Sequence, residues 1–148
     1  MNRPRTFHTL YSLLFGFTAL LLGGCAGYDK QWASAPAPTA KDPFVGRWNG
    51  RWISEKRPGE GGRLRCVFTR VDANHYDAAF LANWKMFSSV YTARFETVRR
   101  GRELDFEGTH TLPAVFGGVY HFAGRVTPDK FTTNYDSSYD RGTFVLSR

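Results

Sequence analysis

The 148-residue chain has few of the features that mark an enzyme or a multidomain protein. Its two cysteines, Cys25 and Cys66, are too few for a disulfide framework and do not form a Cys-x-x-Cys pair. The sequence has no Gly-x-Ser-x-Gly motif and no glycine-rich phosphate loop. Its length suits one domain, and its 16% aromatic content excludes a largely disordered chain. We therefore expect one folded, non-enzymatic domain without a cofactor or a metal.

The long apolar run of the chain, residues 10–22, has 13 residues, fewer than the roughly 20 that span a bilayer. A short basic segment precedes this run, and two glycines follow it. A basic start, a short apolar run and small residues are typical of a secretory signal peptide. Residues 1–24 are therefore predicted to be the signal peptide of an exported protein.

The sequence Leu22-Gly23-Gly24-Cys25 resembles a lipobox, the motif of bacterial lipoproteins. The resemblance implies that Cys25 is diacylated on sulfur and becomes the acylated first residue of the mature chain. Stable anchoring of this kind takes two or more lipid chains. The residue after Cys25 is Ala26 rather than Asp. By the same resemblance, this implies that the protein lies in the outer membrane if the host is Gram-negative. The alternative is an ordinary signal peptide with an incidental cysteine.

Residues 25–42 are expected to form the lipidated Cys25 and a flexible tether. Ala, Pro, Ser and Thr dominate this segment after Trp32, a composition that favours an extended, mobile chain. Tyr28 and Trp32 are amphipathic rings that suit the headgroup level of a membrane, although residues without a role fit equally well. The folded domain is then expected over residues 43–148.

Apolar and polar residues alternate with a period of two in this domain, which is typical of antiparallel strands with one buried face. Eight strands are predicted, at residues 44–53, 63–71, 75–84, 87–98, 102–112, 118–127, 130–135 and 143–147. A polar outer face disfavours a membrane-spanning barrel, which needs an apolar exterior. We expect an all-β fold, either a small antiparallel up-and-down barrel or a closely packed meander.

The predicted inward positions carry large rings that fill the core or line a pocket: Trp48, Trp52, Trp84, Phe106 and Phe122. An eight-stranded barrel has room inside for side chains or one small ligand, and rings of this size tend to fill it. Cys66 is expected to pack as a small buried hydrophobe rather than act as a nucleophile. The apolar alternation places His110 opposite Tyr120 and leaves His121 outside, which disfavours a metal site.

Gly46-Arg47-Trp48 on the first strand resembles the Gly-x-Trp opening of lipocalins and related calycins. In that family the tryptophan closes one end of the barrel, and a basic residue late in the last strand packs over it. The resemblance implies that Arg148 covers Trp48. Thr133-Asn134-Tyr135 resembles the Thr-Asp-Tyr motif of the family, but one strand follows it here where the family has two, and the family's disulfides are missing. These departures affect the implied ligand site more than the barrel. The domain is also similar to small uncharacterised bacterial β-proteins.

Arginine outnumbers lysine by 13 to 3 in residues 43–148. Arg47 and Arg51 lie on the outer face of the first predicted strand, and Arg63 and Arg65 on that of the second, so a hairpin would unite them. Arginine binds phosphate and carboxylate through paired hydrogen bonds. At a cell envelope such anions are lipid headgroups, lipopolysaccharide phosphates or peptidoglycan carboxylates, and nucleic acid is a poor partner. A solvated basic face is the alternative.

These observations favour a lipid-anchored envelope lipoprotein whose domain faces the periplasm or the cell surface and binds an envelope component or a partner protein. The alternative is a lipocalin-like carrier of a small apolar ligand, and a third possibility is a hydrolase whose residues the sequence does not identify. The volume of the interior separates the first two functions. A filled interior excludes the carrier, whereas a pocket of about 300 Å³ or more supports it.

Overall fold

The computed structural model describes residues 25–148, so the predicted signal peptide over residues 1–24 lies outside the described part. Eight strands follow one another along the chain: β1 (Gly46–Ser54), β2 (Gly61–Arg70), β3 (His75–Trp84), β4 (Phe87–Arg100), β5 (Glu103–Thr111), β6 (Val119–Val126), β7 (Lys130–Asp136) and β8 (Arg141–Ser147). Each strand pairs antiparallel with the next, and β8 pairs with β1. The fold is a closed up-and-down β-barrel, which confirms the predicted class and decides between the barrel and the closely packed meander in favour of the barrel.

The alternation of the sequence sets the inside and the outside of this barrel. On β5, Leu104 and Phe106 are buried in the interior while Glu107 is exposed on the outer surface. His110 lies directly opposite Tyr120, as the apolar alternation predicts. Because a shift by one residue would turn every side chain to the other face, the buried set fixes the register.

One end of the barrel is closed by Trp48, which is fully buried. Its indole Nε1 donates a hydrogen bond to the carbonyl oxygen of Phe44 at 3.0 Å. The Arg148 guanidinium lies 4.1 Å from the centre of the indole ring and donates to the carbonyl oxygens of Val45 and Pro128. Burial lowers the pKa of Arg148 from its ordinary value. The contact implied by the Gly-x-Trp resemblance is therefore present.

The interior next to this end is filled by phenylalanine rings, and two glycines make room for them. A Cβ at Gly108 would lie 2.6 Å from the ring of Phe95, and one at Gly124 would lie 2.7 Å from the ring of Phe106. The Phe95 and Phe106 rings stack with their centres 4.5 Å apart. These glycines therefore serve the packing of the core.

The structure differs from the flexible tether predicted over residues 25–42. Residues 25–33 form a helix, here called the outer helix, which packs on the outer surface of β2 and β3. Tyr28 is 2% exposed, and three side chains that point outward from the barrel lie beneath it: Val67, Ala79 and Leu81. Burial of this apolar surface stabilises the helix against the wall. Tyr28 is thus a packing residue rather than a ring free to enter a membrane.

The chain between the outer helix and β1 covers the closed end of the barrel. The hydroxyl of Tyr76 donates to a carboxylate oxygen of Asp42 at 2.8 Å, and Arg99 donates to the carbonyl oxygen of Lys41 at 2.8 Å. Burial and the Asp42 carboxylate raise the pKa of Tyr76. Among residues 25–148, no helix is long and apolar enough to cross a bilayer.

Candidate functional site

The end of the barrel opposite Trp48 is open, and a cavity of about 550 Å³ extends from it into the interior. The β1–β2, β5–β6 and β7–β8 loops and the β3–β4 turn surround its mouth. Most of its lining is aromatic and includes Trp52, Trp84, Tyr91, Tyr120, Phe122 and Phe144. A cavity of this size lies within the usual range of small-molecule sites. The interior is therefore only partly filled by the large rings.

The five predicted core or pocket rings divide between the two ends of the barrel. Trp48 and Phe106 belong to the packed core, and Phe122 is a buried ring that also lines the cavity. Trp52 and Trp84 are half-buried and line the open end. These two tryptophans take the second of the two roles expected for the rings and line a pocket, because their strand positions lie near the mouth.

Trp52 is held at the mouth by a hydrogen bond from its Nε1 to the carbonyl oxygen of Asn83 at 2.9 Å. The neighbouring strand carries Gly62, where a Cβ would lie 2.8 Å from the same indole nitrogen and would collide with the Asn83 carbonyl. The close approach of β2 and β3 at this level therefore requires glycine. The indole ring is left to form part of the cavity wall.

A buried carboxylate, Asp140, organises the polar side of the cavity. It accepts hydrogen bonds from the hydroxyls of Ser54 at 2.7 Å and Tyr135 at 2.9 Å, and from the backbone N–H of Arg141 at 2.9 Å. Burial and the bond to Asp140 raise the pKa of Tyr135, so this phenol remains a neutral donor. Every oxygen of the carboxylate is thus engaged by the protein itself.

Arg57 balances the charge of Asp140 at the mouth. Its Nη2 lies 3.2 Å from Asp140, its Nη1 donates to the Tyr139 hydroxyl at 3.0 Å, and its Nε lies 3.4 Å from Glu60. Burial opposes the charge on Arg57, but the Tyr139 hydrogen bond and the Asp140 carboxylate together raise the pKa of its guanidinium. The charged groups of the cavity are therefore paired with one another.

His110 and Tyr91 are two of the polar side chains of the cavity that a ligand can reach, together with Ser89 near the mouth. Their rings lie 5.2 Å apart, and both line the cavity. Within residues 25–148, neither the imidazole nor the Tyr91 hydroxyl has a side-chain hydrogen-bond partner. Burial raises the pKa of Tyr91, so its hydroxyl is neutral and can donate a hydrogen bond. The site can thus orient one polar group of an otherwise apolar molecule.

The predicted arginine patch is divided by the outer helix. Two of its members, the helix-bound arginines Arg47 and Arg65, contact that helix: Arg47 donates to the carbonyl oxygens at positions 32 and 33, and both guanidinium groups lie over the Trp32 ring. The other two, the solvent-facing arginines Arg51 and Arg63, lie directly opposite each other on β1 and β2. A four-arginine anion site is therefore not available in this arrangement.

The other reactive side chains occupy separate places. Cys66 is fully buried in the core, and burial raises the pKa of its thiol well above the ordinary value, as expected for a packing residue. His110 lies inside the barrel and His121 is exposed on its outer surface. No group of three or more His, Cys, Asp or Glu side chains in the described residues is arranged to hold a metal ion.

A second depression, of about 710 Å³, lies on the outer wall across β3 to β7. Exposed side chains such as Glu96, Glu107 and His121 line it. A small molecule there would keep much of its surface in water, whereas a binding pocket covers most of its ligand. The cavity at the open end is therefore the better candidate site.

No protein-family model matches the chain, and no curated protein matches its sequence. Among solved structures, a redesigned β-barrel, mFAP1, bound to DFHBI, is similar to this chain. The two share 20% sequence identity with a TM-score of 0.49, over 72% of this chain and 95% of the redesigned barrel.

The sequence does not identify the Asp140 cluster or the pairing of Tyr91 with His110. Arg57 lies in the β1–β2 loop and Asp140 in the β7–β8 loop, and these two loops are far apart in the sequence. They meet only because the barrel closes through the pairing of β1 with β8. The one available signal is the inward parity of Tyr91 and His110, which predicts that both rings face the interior but does not show that they meet.

Proposed function

We propose that the protein is a lipid-anchored envelope protein whose barrel takes up a small, mainly apolar and uncharged molecule through its open end. The observation that carries the proposal is the cavity of about 550 Å³, larger than the roughly 300 Å³ that separates a carrier from a filled barrel. Binding at this cavity replaces the arginine patch as the leading function, since two of the four arginines hold the outer helix.

The lining of the cavity supports an uncharged ligand with aromatic or alkyl character. Its walls are aromatic rings, which bury apolar surface and stack on planar groups. Asp140 and Arg57 neutralise each other, so an added charge on the ligand would lose hydration without a counter-charge. The Tyr91 hydroxyl and the His110 ring suit a single polar substituent such as a carbonyl or a hydroxyl.

The lipobox-like sequence supports the membrane anchor, with Cys25 as the lipidated residue. In this proposal the protein is exported and functions without chemistry of its own. Replacement of Cys25 by serine is expected to prevent the mass increase of the lipids and to move the protein out of the membrane fraction. An unchanged intact mass and fractionation would contradict the anchor without affecting the cavity.

Ligand binding is tested by filling the cavity with one side chain. Ala82 lines the cavity, whereas Ala123 is exposed on the outer wall, so Ala82→Phe and Ala123→Phe make the same chemical change inside and outside. The chain of residues 25–148 with Cys25→Ser, which contains all eight strands, is titrated with the neutral fluorophore N-phenyl-1-naphthylamine. We expect Ala82→Phe to weaken binding at least about tenfold and Ala123→Phe to leave it unchanged. Equal binding by all three proteins, or none by the parent, would contradict the proposed function.

A further inference from the structure

The four most exposed large apolar side chains of residues 25–148 all lie at the open end of the barrel. Met86 and Phe87 in and beside the β3–β4 turn are 89% and 64% exposed, and Val115 and Phe116 in the β5–β6 loop are 74% and 59% exposed. These four residues are called the apolar rim. Since β3 to β6 are consecutive neighbours in the barrel, the two segments lie side by side at the mouth.

The two segments that carry the rim are held in place by a hydrogen bond and by a tight turn. The hydroxyl of Tyr120 donates to the carbonyl oxygen of Phe116 at 3.0 Å, which ties the short 3-10 turn of residues 114–116 to the barrel wall. Lys85 adopts a left-handed φ of +53°, uncommon for a residue with a side chain, and places Met86 at the tip of a two-residue turn. The apolar residues are therefore presented by well-defined turns.

The chemistry of the rim is that of a membrane interface. The half-buried Trp84 borders it, and the Lys85 ammonium lies 4.8 Å from the centre of the Trp84 ring. Tryptophan and lysine beside exposed aliphatic and phenylalanine side chains suit the level of lipid headgroups, where the ring and the lysine stem are half-buried. The four loops at this end carry three basic and three acidic side chains, so they have no formal net charge: Lys56, Arg57 and Lys85, with Glu55, Glu60 and Asp140.

The opposite end of the barrel has a different character. Its turns and adjoining strand ends carry exposed charged residues, among them Asp72, Arg100, Arg102 and Asp129. Val71 and Val98 are also exposed at this end, by 44% and 55%, but each is less exposed than the four residues of the apolar rim. The rim therefore concentrates the most exposed apolar side chains at one place, and a concentrated apolar patch generally marks a contact with a partner or a membrane.

We infer that the apolar rim inserts into the surface of a lipid bilayer, so that the mouth of the cavity opens toward the membrane. A bilayer fits better than a protein partner, because the rim combines protruding apolar tips with Trp84 and Lys85 and borders the cavity mouth. The balanced charge of the loops makes this contact independent of anionic lipid. It also lets an apolar ligand pass between the acyl region and the cavity without crossing water, a consequence that rests on the proposed function.

The course of the outer helix agrees with this orientation. Its end at positions 32 and 33 is bound by Arg47 near the closed end, where Pro36 lies beside Gly46. Its beginning, at Cys25, therefore lies toward the open end. Lipid chains on Cys25, which belong to the proposed function, would reach the same membrane surface as the rim. The rim and the anchor would then together hold the barrel with its open end facing the bilayer.

The inference is tested by measuring how deeply each end of the barrel enters a bilayer. The full chain is reconstituted into phosphatidylcholine vesicles whose acyl chains carry bromine, a short-range quencher. A thiol-reactive bimane is placed at Met86→Cys in the rim or, as the matched control, at Ala73→Cys, an exposed position in the β2–β3 turn at the closed end. Cys66 is fully buried, and the parent chain treated with the same label reports any reaction at Cys25.

We expect bromine quenching at position 86 to be at least about threefold stronger than at position 73. Equal quenching at both positions, stronger quenching at position 73, or none at position 86 would each overturn the inference. The parent chain tests the proposed anchor separately from the rim. If the bimane labels Cys25 in the parent, Cys25 carries no lipid, whatever the quenching at position 86 shows. Binding of the naphthylamine fluorophore without vesicles separates the inference from the proposed cavity function.

Discussion

Replacing Tyr28 by phenylalanine should stabilise the folded protein, although Tyr28 is one of its most buried side chains. The ring lies between the outer helix and the barrel wall, with the Arg65 guanidinium 5.5 Å from its centre. Its hydroxyl is buried and has no hydrogen-bond partner among residues 25–148. Burial raises the pKa of this phenol, so the group is a neutral, unsatisfied hydroxyl.

The size of the effect follows from what the substitution removes. A buried polar group without a partner costs about 1–3 kcal/mol of folding free energy. Phenylalanine keeps the ring and its packing on the wall. We expect Tyr28→Phe to raise the free energy of unfolding by about 1 kcal/mol. The lower part of the range applies because the outer helix lies at the surface of the protein. Tyr28→Ala removes the ring as well and should lower the free energy of unfolding by about 3 kcal/mol.

Urea denaturation measures both variants. Tyr28→Phe should shift the midpoint upward with an unchanged slope, and Tyr28→Ala should shift it downward. Hydrogen exchange at the amides of residues 28–33 should slow in the first variant and quicken in the second, because it reports local opening of the outer helix. If Tyr28→Phe lowers the midpoint, the hydroxyl has a partner and the reasoning is refuted.

Two further predictions concern the arginines. Arg148→Ala should lower the free energy of unfolding by about 2 kcal/mol, because Trp48 loses its cation–π contact and the half-buried carbonyl oxygen of Val45 loses its donor. An unchanged denaturation midpoint would exclude this role at the closed end. Replacing the helix-bound arginines by glutamine should quicken hydrogen exchange in the outer helix, whereas the same change at the solvent-facing arginines should leave that exchange unchanged. Indistinguishable effects of the two double variants would contradict the division of the patch.

The barrel was predictable because its strands follow one simple rule. Alternating side chains give one buried and one solvated face, and all eight predicted strands are present with ends shifted by a few residues. The same alternation predicts the pairing of His110 with Tyr120 across β5 and β6. Barrel closure through β1 and β8 depends on contacts between residues distant in sequence, and the pattern alone left the meander open.

The outer helix was missed because the residues after Trp32 have the composition of a linker, rich in proline, serine and alanine, and the short helix before them was included in the same segment. The signal lies instead in the wall that the helix covers. Val67 interrupts the polar outer face of β2, and Ala79 and Leu81 do the same on β3. Continuous apolar residues mark a strand that is buried on both faces, and such a strand needs a partner outside the barrel.

The cavity could not be read from the sequence because alternation shows which face a ring occupies but not which end of the barrel is closed. Trp48 and Trp52 share the inward face of β1 but lie near opposite ends of it. Trp48 is sealed by Arg148, whereas Trp52 stands beside the open mouth. The difference follows from strand stagger and loop packing, which arise only in the closed barrel.

Closure of the barrel through its first and last strands constrains how the chain can fold. Asn49 on β1 pairs with Ser147 on β8, so the final ladder joins segments from the two extremes of the domain. Contacts at such long sequence separation form slowly, and the barrel stays incomplete until almost the last residue of the chain is free to pair. Loss of β8 would expose two strand edges at once, on β1 and β7, and unpaired edges recruit other chains. If the protein is exported as proposed, it would therefore complete folding only after β8 had crossed the membrane, and until then it would depend on protection from aggregation.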